Sequence, residues 1–367
     1  MYIHELDAWP KFHWRAETIA VPLASVRDRQ SRLLRHMEAL GFSLQQEAVL
    51  QTLTADVLES SEIEGEKLDA AQVRSSIARR LGMDIGALKP ADRNVEGIVE
   101  MMLDATRHYN QPLTAERLFA WHASLFPTGR SGMSAITVGN WRNDKTGPMQ
   151  VVSGPMGKEH VHFEAPKAER LDREMGSFLE WFEGDKPIDQ VLAAGLAHLW
   201  FVTIHPFDDG NGRIARAIAD MALARSEHGP QRFYSMSAQI RQERNAYYDF
   251  LERTQKGTMD ITPWMEWFLG CLGRAIDGAQ KTLSTVLEKA RFWDRIKDVK
   301  LNDRQRLVIN RLLDGFEGKL TTSKYAALAK CSQDTAYRDI LYLIENRVLV
   351  QNPEGGRSTS YSLKPEP

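Results

Sequence analysis

Two cysteines, Cys271 and Cys331, are all that the 367 residues contain. A pair so sparse and so far apart excludes a disulfide framework and a cysteine zinc site, and it suits a reducing compartment. Long apolar runs are missing too. The best stretch, 191–204, falls short of the roughly 18 residues a membrane span needs and contains His198. The opening MYIHELDAWPKFHW has no basic leader followed by an apolar core, so no signal peptide and a cytoplasmic location are expected. Charge of one sign is not in excess. The formal net charge is −2 with 26% charged residues, so any contact with nucleic acid has to be local. Fixed-period repeats and low-complexity tracts are absent.

What is present is helical periodicity. Apolar residues recur at helical spacing over about 15–40 (ending at Gly41), 43–63 (with Ser43 as N-cap and Gly65 as the glycine past its end), 92–108, 114–125, 167–183, 188–204, 212–227, 236–254 and 262–290. One stretch breaks the pattern. Residues 137–163, TVGNWRNDKTGPMQVVSGPMGKEHVHF, are rich in Gly and Pro with short β-branched runs, which predicts an exposed hairpin or flap. Within it, GPMGKE is not a phosphate loop, because Glu159 stands where Ser or Thr is required. His160, His162 and Glu164 read as a strand fragment and not as a metal site.

Near Lys300 the character changes. Three helical segments joined by short turns are followed by QNPEGGRSTSYSL, a strand-turn-strand with Gly355, Gly356 and Arg357 at its tip. That order predicts a winged helix-turn-helix domain over 296–367. Ser332 caps its recognition-like helix, with Gln333, Thr335, Tyr337 and Arg338 outward and Ala336, Ile340, Leu341 and Leu343 inward. From Leu301 on there are ten Lys/Arg against eight Asp/Glu, and Asp334 and Asp339 lie on that helix. DNA contact, protein docking and dimer formation all stay open for this module.

The densest chemistry lies in HPFDDGNGRIAR, residues 205–216. Pro206 stops one helix, Phe207 anchors the turn, and the next helix starts near Gly212. Free N–H groups and the dipole make such a start an anion site. Arg213 and Arg216, three apart, project from one face there, where cations are disfavoured unless an anion joins them. Each of these residues alone suits an ordinary helix cap. Together they fit a polyphosphate, with Asp209 able to hold Mg²⁺ and His205 placed to accept a proton.

These twelve residues resemble the signature of the Fic family, HPFx(D/E)GN(G/K)RxxR, at every motif position. The resemblance implies a mainly α fold. It places a helical N-terminal region over 1–92, a Fic core with its β-hairpin flap over 93–292, and the winged module behind them. By the same resemblance His205 is the base that deprotonates a hydroxyl of a target protein. Asp209 holds Mg²⁺, Gly210, Asn211 and Gly212 line the phosphate cradle, and Arg213 and Arg216 grip the β- and γ-phosphates of ATP. Gly212, where phosphorylating members carry Lys, implies transfer of AMP. Met149, Gln150, Val151 and Val152 form the flap edge that meets the target. DAWPKFHW resembles an N-terminal domain of unknown function found ahead of some Fic cores.

SSEIEGE carries the opposite anomaly, an anion at a helix C-terminus. Ser60, Glu64 and Gly65 match the Fic inhibitory motif (S/T)xxxE(G/N), which implies that Glu64 pairs with Arg216 and holds ATP unproductively. Two alternatives accompany the resulting expectation of a self-inhibited adenylyltransferase. One is a nucleotide-sensing transcriptional regulator, and the other is an enzyme that also removes AMP. The partners expected are ATP and a hydroxyl-bearing target protein, which could be a second copy of the chain itself.

Overall fold

The computed structural model of the chain describes residues 1–365 except 39, 41, 84–88, 146, 155–157, 159, 186, 314–315, 317 and 354–358, and the side chains of 42–43, 281–282 and 285–286 are likewise left aside. Gly41, Glu159 and the Gly355–Arg357 wing tip thus lie outside the described residues. The chain divides into two compact units, 1–283 and 284–367.

The first unit is helical. Its elements are α1 (Ala16–Glu38), α2 (Phe42–Ile63), α3 (Ala70–Leu81), α4 (Arg93–Arg107), α5 (Ala115–Leu125), α6 (Leu171–Glu183), α7 (Gln190–Ile204), α8 (Asn211–Glu227), α9 (Met236–Gln242) and α10 (Arg244–Gln255), then α11 (Thr262–Arg295), which runs past the unit boundary. Two hairpins lie between α5 and α6: β1 (Arg130–Ser131) with β2 (Ser134–Ala135), and β3 (Gln150–Ser153) with β4 (His160–Glu164). None of the described helices is long and apolar enough to cross a membrane.

The core is built around α7. Every residue from Val191 to Ile204 is buried, so this helix is apolar all round and has to be enclosed. It packs along α8, buried from Asn211 to Ala224 apart from Gly212. The turn between these two central helices carries the 205–210 sequence. Helix starts follow from short polar side chains: Asp69, Asp92, Thr114 and Ser235 accept from backbone N–H groups of α3, α4, α5 and α9. Asp189 caps α7 and also receives Arg27 at 2.7 Å.

Three sequence expectations need correction here. Helix α2 begins at Phe42, so Ser43 lies inside it and is not its N-cap. The single helix over 236–254 is two, broken at Glu243, whose ψ of 25° leaves the helical range while Arg274 of α11 holds its carboxylate at 2.5 Å. Helix α3 was not expected at all, although Val73, Ile77 and Ala78 bury one face of it.

In the second unit α12 (Asp303–Leu313), α13 (Thr322–Ala329) and α14 (Gln333–Glu345) precede β5 (Leu349–Gln351), which pairs antiparallel with β6 (Tyr361–Leu363). Leu320 adds a bridge to Tyr361. The core includes Val308, Ile309, Tyr325, Ala336, Ile340 and Leu343. Ser332 caps α14 as expected, and Gln333, Tyr337 and Arg338 are exposed. Thr335 is half-buried, its hydroxyl 2.9 Å from that of Ser332. Leu341, expected inside, is 40% exposed: the buried stripe runs 336, 340, 343, and 341 lies off it. Asp339, which counted against a reading helix, points inward instead. Arg304 Nε, Asn302 Nδ2 and Tyr325 Oη donate to its carboxylate at 3.0, 3.1 and 3.3 Å.

Candidate active site

His205 closes α7 in the left-handed region, with φ of 52°. A non-glycine residue stays there only when its surroundings over-determine it. Arg142 does that. From a fully buried side chain, its Nε donates to His205 O at 2.8 Å, its Nη2 to Pro166 O, and its Nη1 to Asp144 at 2.7 Å. Its backbone N–H adds a bond to Pro206 O at 2.9 Å. The His205 ring is turned so that Nδ1 lies 3.2 Å from Val202 O. A carbonyl only accepts, so Nδ1 carries the hydrogen and Nε2 keeps its lone pair. Burial pushes the imidazole down to about 4, so it is neutral at pH 7.

The turn after it is locked from inside. Phe207 is fully buried, and His122 stacks on it with ring centroids 4.2 Å apart. The Asn211 carboxamide spans the turn, accepting from Phe207 N at 3.0 Å and donating to Phe207 O at 2.8 Å. Its side chain is thus spent on loop closure. His122, neutral because burial lowers it to about 4, donates through Nε2 to Asp209 O at 3.2 Å. The Asp209 carboxylate accepts from Ser131 Oγ and, at 2.5 Å, from Gly210 N. Gly210, with φ of 82°, leaves no room for a side chain: a Cβ would lie 2.9 Å from Phe126.

The two arginines at the start of α8 turn toward the end of α2. Arg216, almost wholly buried, donates from Nε to Ser60 Oγ at 2.9 Å, and from Nη2 to Ser60 O and Glu64 Oε1, both at 2.8 Å. Burial works against its charge, but the Glu64 carboxylate outweighs that and raises its pKa. Gly65 ends α2 with φ of 85°, as a glycine past a helix end does. A Cβ on Gly212 would collide with Glu64 Oε1, so the missing side chain is what admits the carboxylate to the start of α8. Arg213 Nη1 meets Glu66 Oε2 at 2.8 Å, while its guanidinium lies over the Phe126 ring. Glu62 meets Arg241 at 2.9 Å. Alternate glutamates of one short segment therefore hold three different arginines. Among the described residues, Arg213 Nε and Arg216 Nη1 are buried without a hydrogen-bond partner.

A cavity of about 580 Å³ opens beside these groups. Its walls bring together His205, Asp209, Gly210, Asn211, Gly212 and Glu64 with the whole flap edge, Met149 to Val152. Arg213, Arg216, Ser60 and Gly65 are not among the residues that line it. Among the described residues no three His, Cys, Asp or Glu side chains converge as a metal cage. The single carboxylate of Asp209 has the hard oxygen donors that a Mg²⁺ taking most of its other ligands from water would accept. Four residues of this arrangement were not picked out in the sequence: Arg142, His122, Ser131 and Glu66. Only Glu66 carried a signal, a second anion just past a helix end.

Residues 112–223 match the Fic/DOC family, and residues 2–83 match a domain of unknown function, DUF4172. The chain is 34% identical over 116 residues to the protein adenylyltransferase Fic of Nematostella vectensis, covering 30% of this chain and 25% of that protein. It is 28% identical over 262 residues to the protein of the same name from Aedes aegypti, covering 70% and 45%. It thus spans from a quarter to just under half the length of these curated relatives. In fold it is similar to a Fic family protein from Desulfovibrio desulfuricans, with a TM-score of 0.54 at 20% identity over 97% of this chain and 98% of that one. A Fic domain-containing signaling protein from Bacteroides thetaiotaomicron aligns at 0.52 and 21% over 71% and 97%.

Proposed function

We propose, on the premise that this chain belongs to the Fic/DOC family through residues 112–223, that it is a protein adenylyltransferase moving AMP from ATP to a hydroxyl side chain of a target protein. We propose further that Glu64 holds it inactive. The observation that carries this reading is the state of the two guanidiniums. Arg213 and Arg216 are held by Glu66 and Glu64 at the start of α8, and each keeps one buried guanidinium nitrogen without a partner among the described residues. Carboxylates stand where phosphates would, at a helix start that favours anions.

In the reaction, Nε2 of His205 takes the proton of the target hydroxyl. The hydroxyl oxygen bonds to the α-phosphorus as the bond from that phosphorus to the pyrophosphate oxygen breaks. Arg213 and Arg216, released from the glutamates, hold the charge of the departing pyrophosphate. Asp209 would hold Mg²⁺, which supplies neutralisation of phosphate oxygens. Among the described residues β3 pairs only with β4, and its other edge, with Met149 just before it, orients the target from Met149 to Val152 by adding a strand, with Val152 47% exposed on it.

Incubation of the Glu64→Gly protein with labelled ATP, Mg²⁺ and a cell lysate, with the label followed on the lysate proteins, tests this. Covalent AMP on them, lost in Glu64→Gly/His205→Ala, is expected. Reversible ATP binding with no covalent label would overturn the reading in favour of a nucleotide sensor.

A further inference from the structure

Ser153, His162 and Glu252 form a hydrogen-bonded line that the reaction above leaves unused. Ser153 Oγ lies 2.6 Å from His162 Nε2, and His162 Nδ1 lies 2.6 Å from Glu252 Oε2. Lys256 Nζ holds the other Glu252 oxygen at 2.5 Å. Bonds from Lys256 and His162 keep this carboxylate below its usual range, so it is an anion that only accepts. Nδ1 therefore carries the ring hydrogen, and Nε2 takes the serine hydroxyl as its donor. The serine oxygen keeps its lone pairs free.

The backbone is shaped to produce this line. Val151 pairs with Phe163 and Val152 with Val161, so the register steps over His162, which is left without a cross-strand partner. A bulge of this kind re-aims a side chain. Here it lets one imidazole reach Ser153 on β3 and Glu252 on α10 at once. Hydroxyl, base and orienting carboxylate come from three separate elements in the order that activates a nucleophile. All three line the cavity that holds His205 and the 209–212 turn, and Ser153 is exposed.

We propose that Ser153 is a self-modification site whose hydroxyl accepts AMP, with His162 and not His205 as its base. The inference rests on the adenylyltransferase reading. The Ser153 Oγ–phosphorus bond forms at the α-phosphate of ATP as the bond from that phosphorus to the pyrophosphate oxygen breaks. Pyrophosphate leaves with the electron pair. The hydroxyl proton passes to His162 Nε2, and the imidazolium is stabilised by Glu252 before it returns the proton to water. AMP placed there stands directly after the 149–152 edge and obstructs target docking, so the enzyme brakes itself by its own chemistry.

The test is peptide-resolved mass spectrometry of the full-length Glu64→Gly protein after ATP and Mg²⁺, with a parallel sample in lysate. One AMP on the Ser153 peptide is expected, at a rate independent of protein concentration. Ser153→Ala loses it, whereas Ser153→Thr, which keeps a hydroxyl, retains it. His162→Gln slows labelling at least tenfold, and Glu252→Asp recovers part of what Glu252→Gln loses. Label on lysate proteins or other residues with Ser153 bare overturns this inference and leaves the adenylyltransferase reading standing. No AMP on any protein overturns both, and unchanged labelling in His162→Gln overturns the assignment of the base.

Discussion

Glu64 and Arg216 meet at 2.8 Å across two helix ends, each supplying the charge that its own dipole disfavours and that the other's favours. The guanidinium is buried while the carboxylate is about a third exposed, so the carboxylate is the partner free to swing away and uncover the cation. In the proposed reading a triphosphate arriving at α8 has to displace it, and the cost of opening this pair is taken from the affinity for ATP. Removing the carboxylate removes that cost. Glu64→Gly is expected to raise the initial rate of AMP incorporation from labelled ATP into lysate proteins by at least tenfold, and adding His205→Ala should return it to background. Equal incorporation by Glu64→Gly and the unaltered protein would end the inhibitory assignment.

Glu66 makes the same kind of contact with Arg213, at 2.8 Å, from a carboxylate 36% exposed. Arg213 and Arg216 lie three apart at the start of α8, and in the proposed reading both pairs open onto the same phosphates. Their removal should therefore couple, because neighbouring charges are not independent. Glu66→Gln is expected to tighten ATP binding several-fold by calorimetry, less than Glu64→Gln does. The double variant should depart from the product of the two. A Glu66→Gln protein with unchanged ATP affinity would show this pair to be structural only.

The residues that act on one another locally were legible in the sequence. The 205–216 run displayed its turn, helix start and paired cations, and the helix-ending Gly65 displayed its position. Arg142 and His122 were not legible, because their significance lies in bonds to His205 O and Asp209 O, 63 and 87 residues away, and nothing local to either marks it. Helix α3 was readable and missed: Asp69 caps it, Gly82 ends it at φ of 69°, and Val73 and Ile77 are one turn apart. In α14, ranking residues by hydrophobicity put Leu341 inside and left Asp339 out. Helical spacing from Ala336 to Leu343 puts position 339 on the buried face, as found.

Arg142 touches no atom of the expected phosphate site, yet it fixes the carbonyl of a base held at positive φ. Lysine at this position cannot reach His205 O, Pro166 O and Asp144 together. In the Glu64→Gly background, Arg142→Lys is expected to lower kcat about 100-fold through misplacement of His205. The KM for ATP should stay within a few-fold. Steady-state kinetics separate the two, and a rise in KM with kcat unchanged would place Arg142 in nucleotide binding instead.

Two buried histidines should make acid weaken this fold before carboxylates such as Glu96 and Asp104 titrate. Burial lowers His122 to about 4 and, with Arg216 nearby, lowers His198 to about 3, and both side chains are nearly inaccessible. Unfolded, each titrates near 6.5. Between pH 6.5 and about 4 the unfolded chain therefore binds protons that the folded chain refuses, so stability falls as pH falls through that window and is level with respect to these groups above it. Each group contributes a slope of up to about 1.4 kcal/mol per pH unit. Glu96 and Asp104 are held below their ordinary range, so their loss comes only at lower pH. Urea midpoints measured from pH 7.5 to 4.5 should be flat to about 6.5 and then decline. His198→Gln, which cannot take up that proton, should show a shallower decline, whatever it does to the midpoint at pH 7.5. An equal slope in that variant would remove His198 from the account.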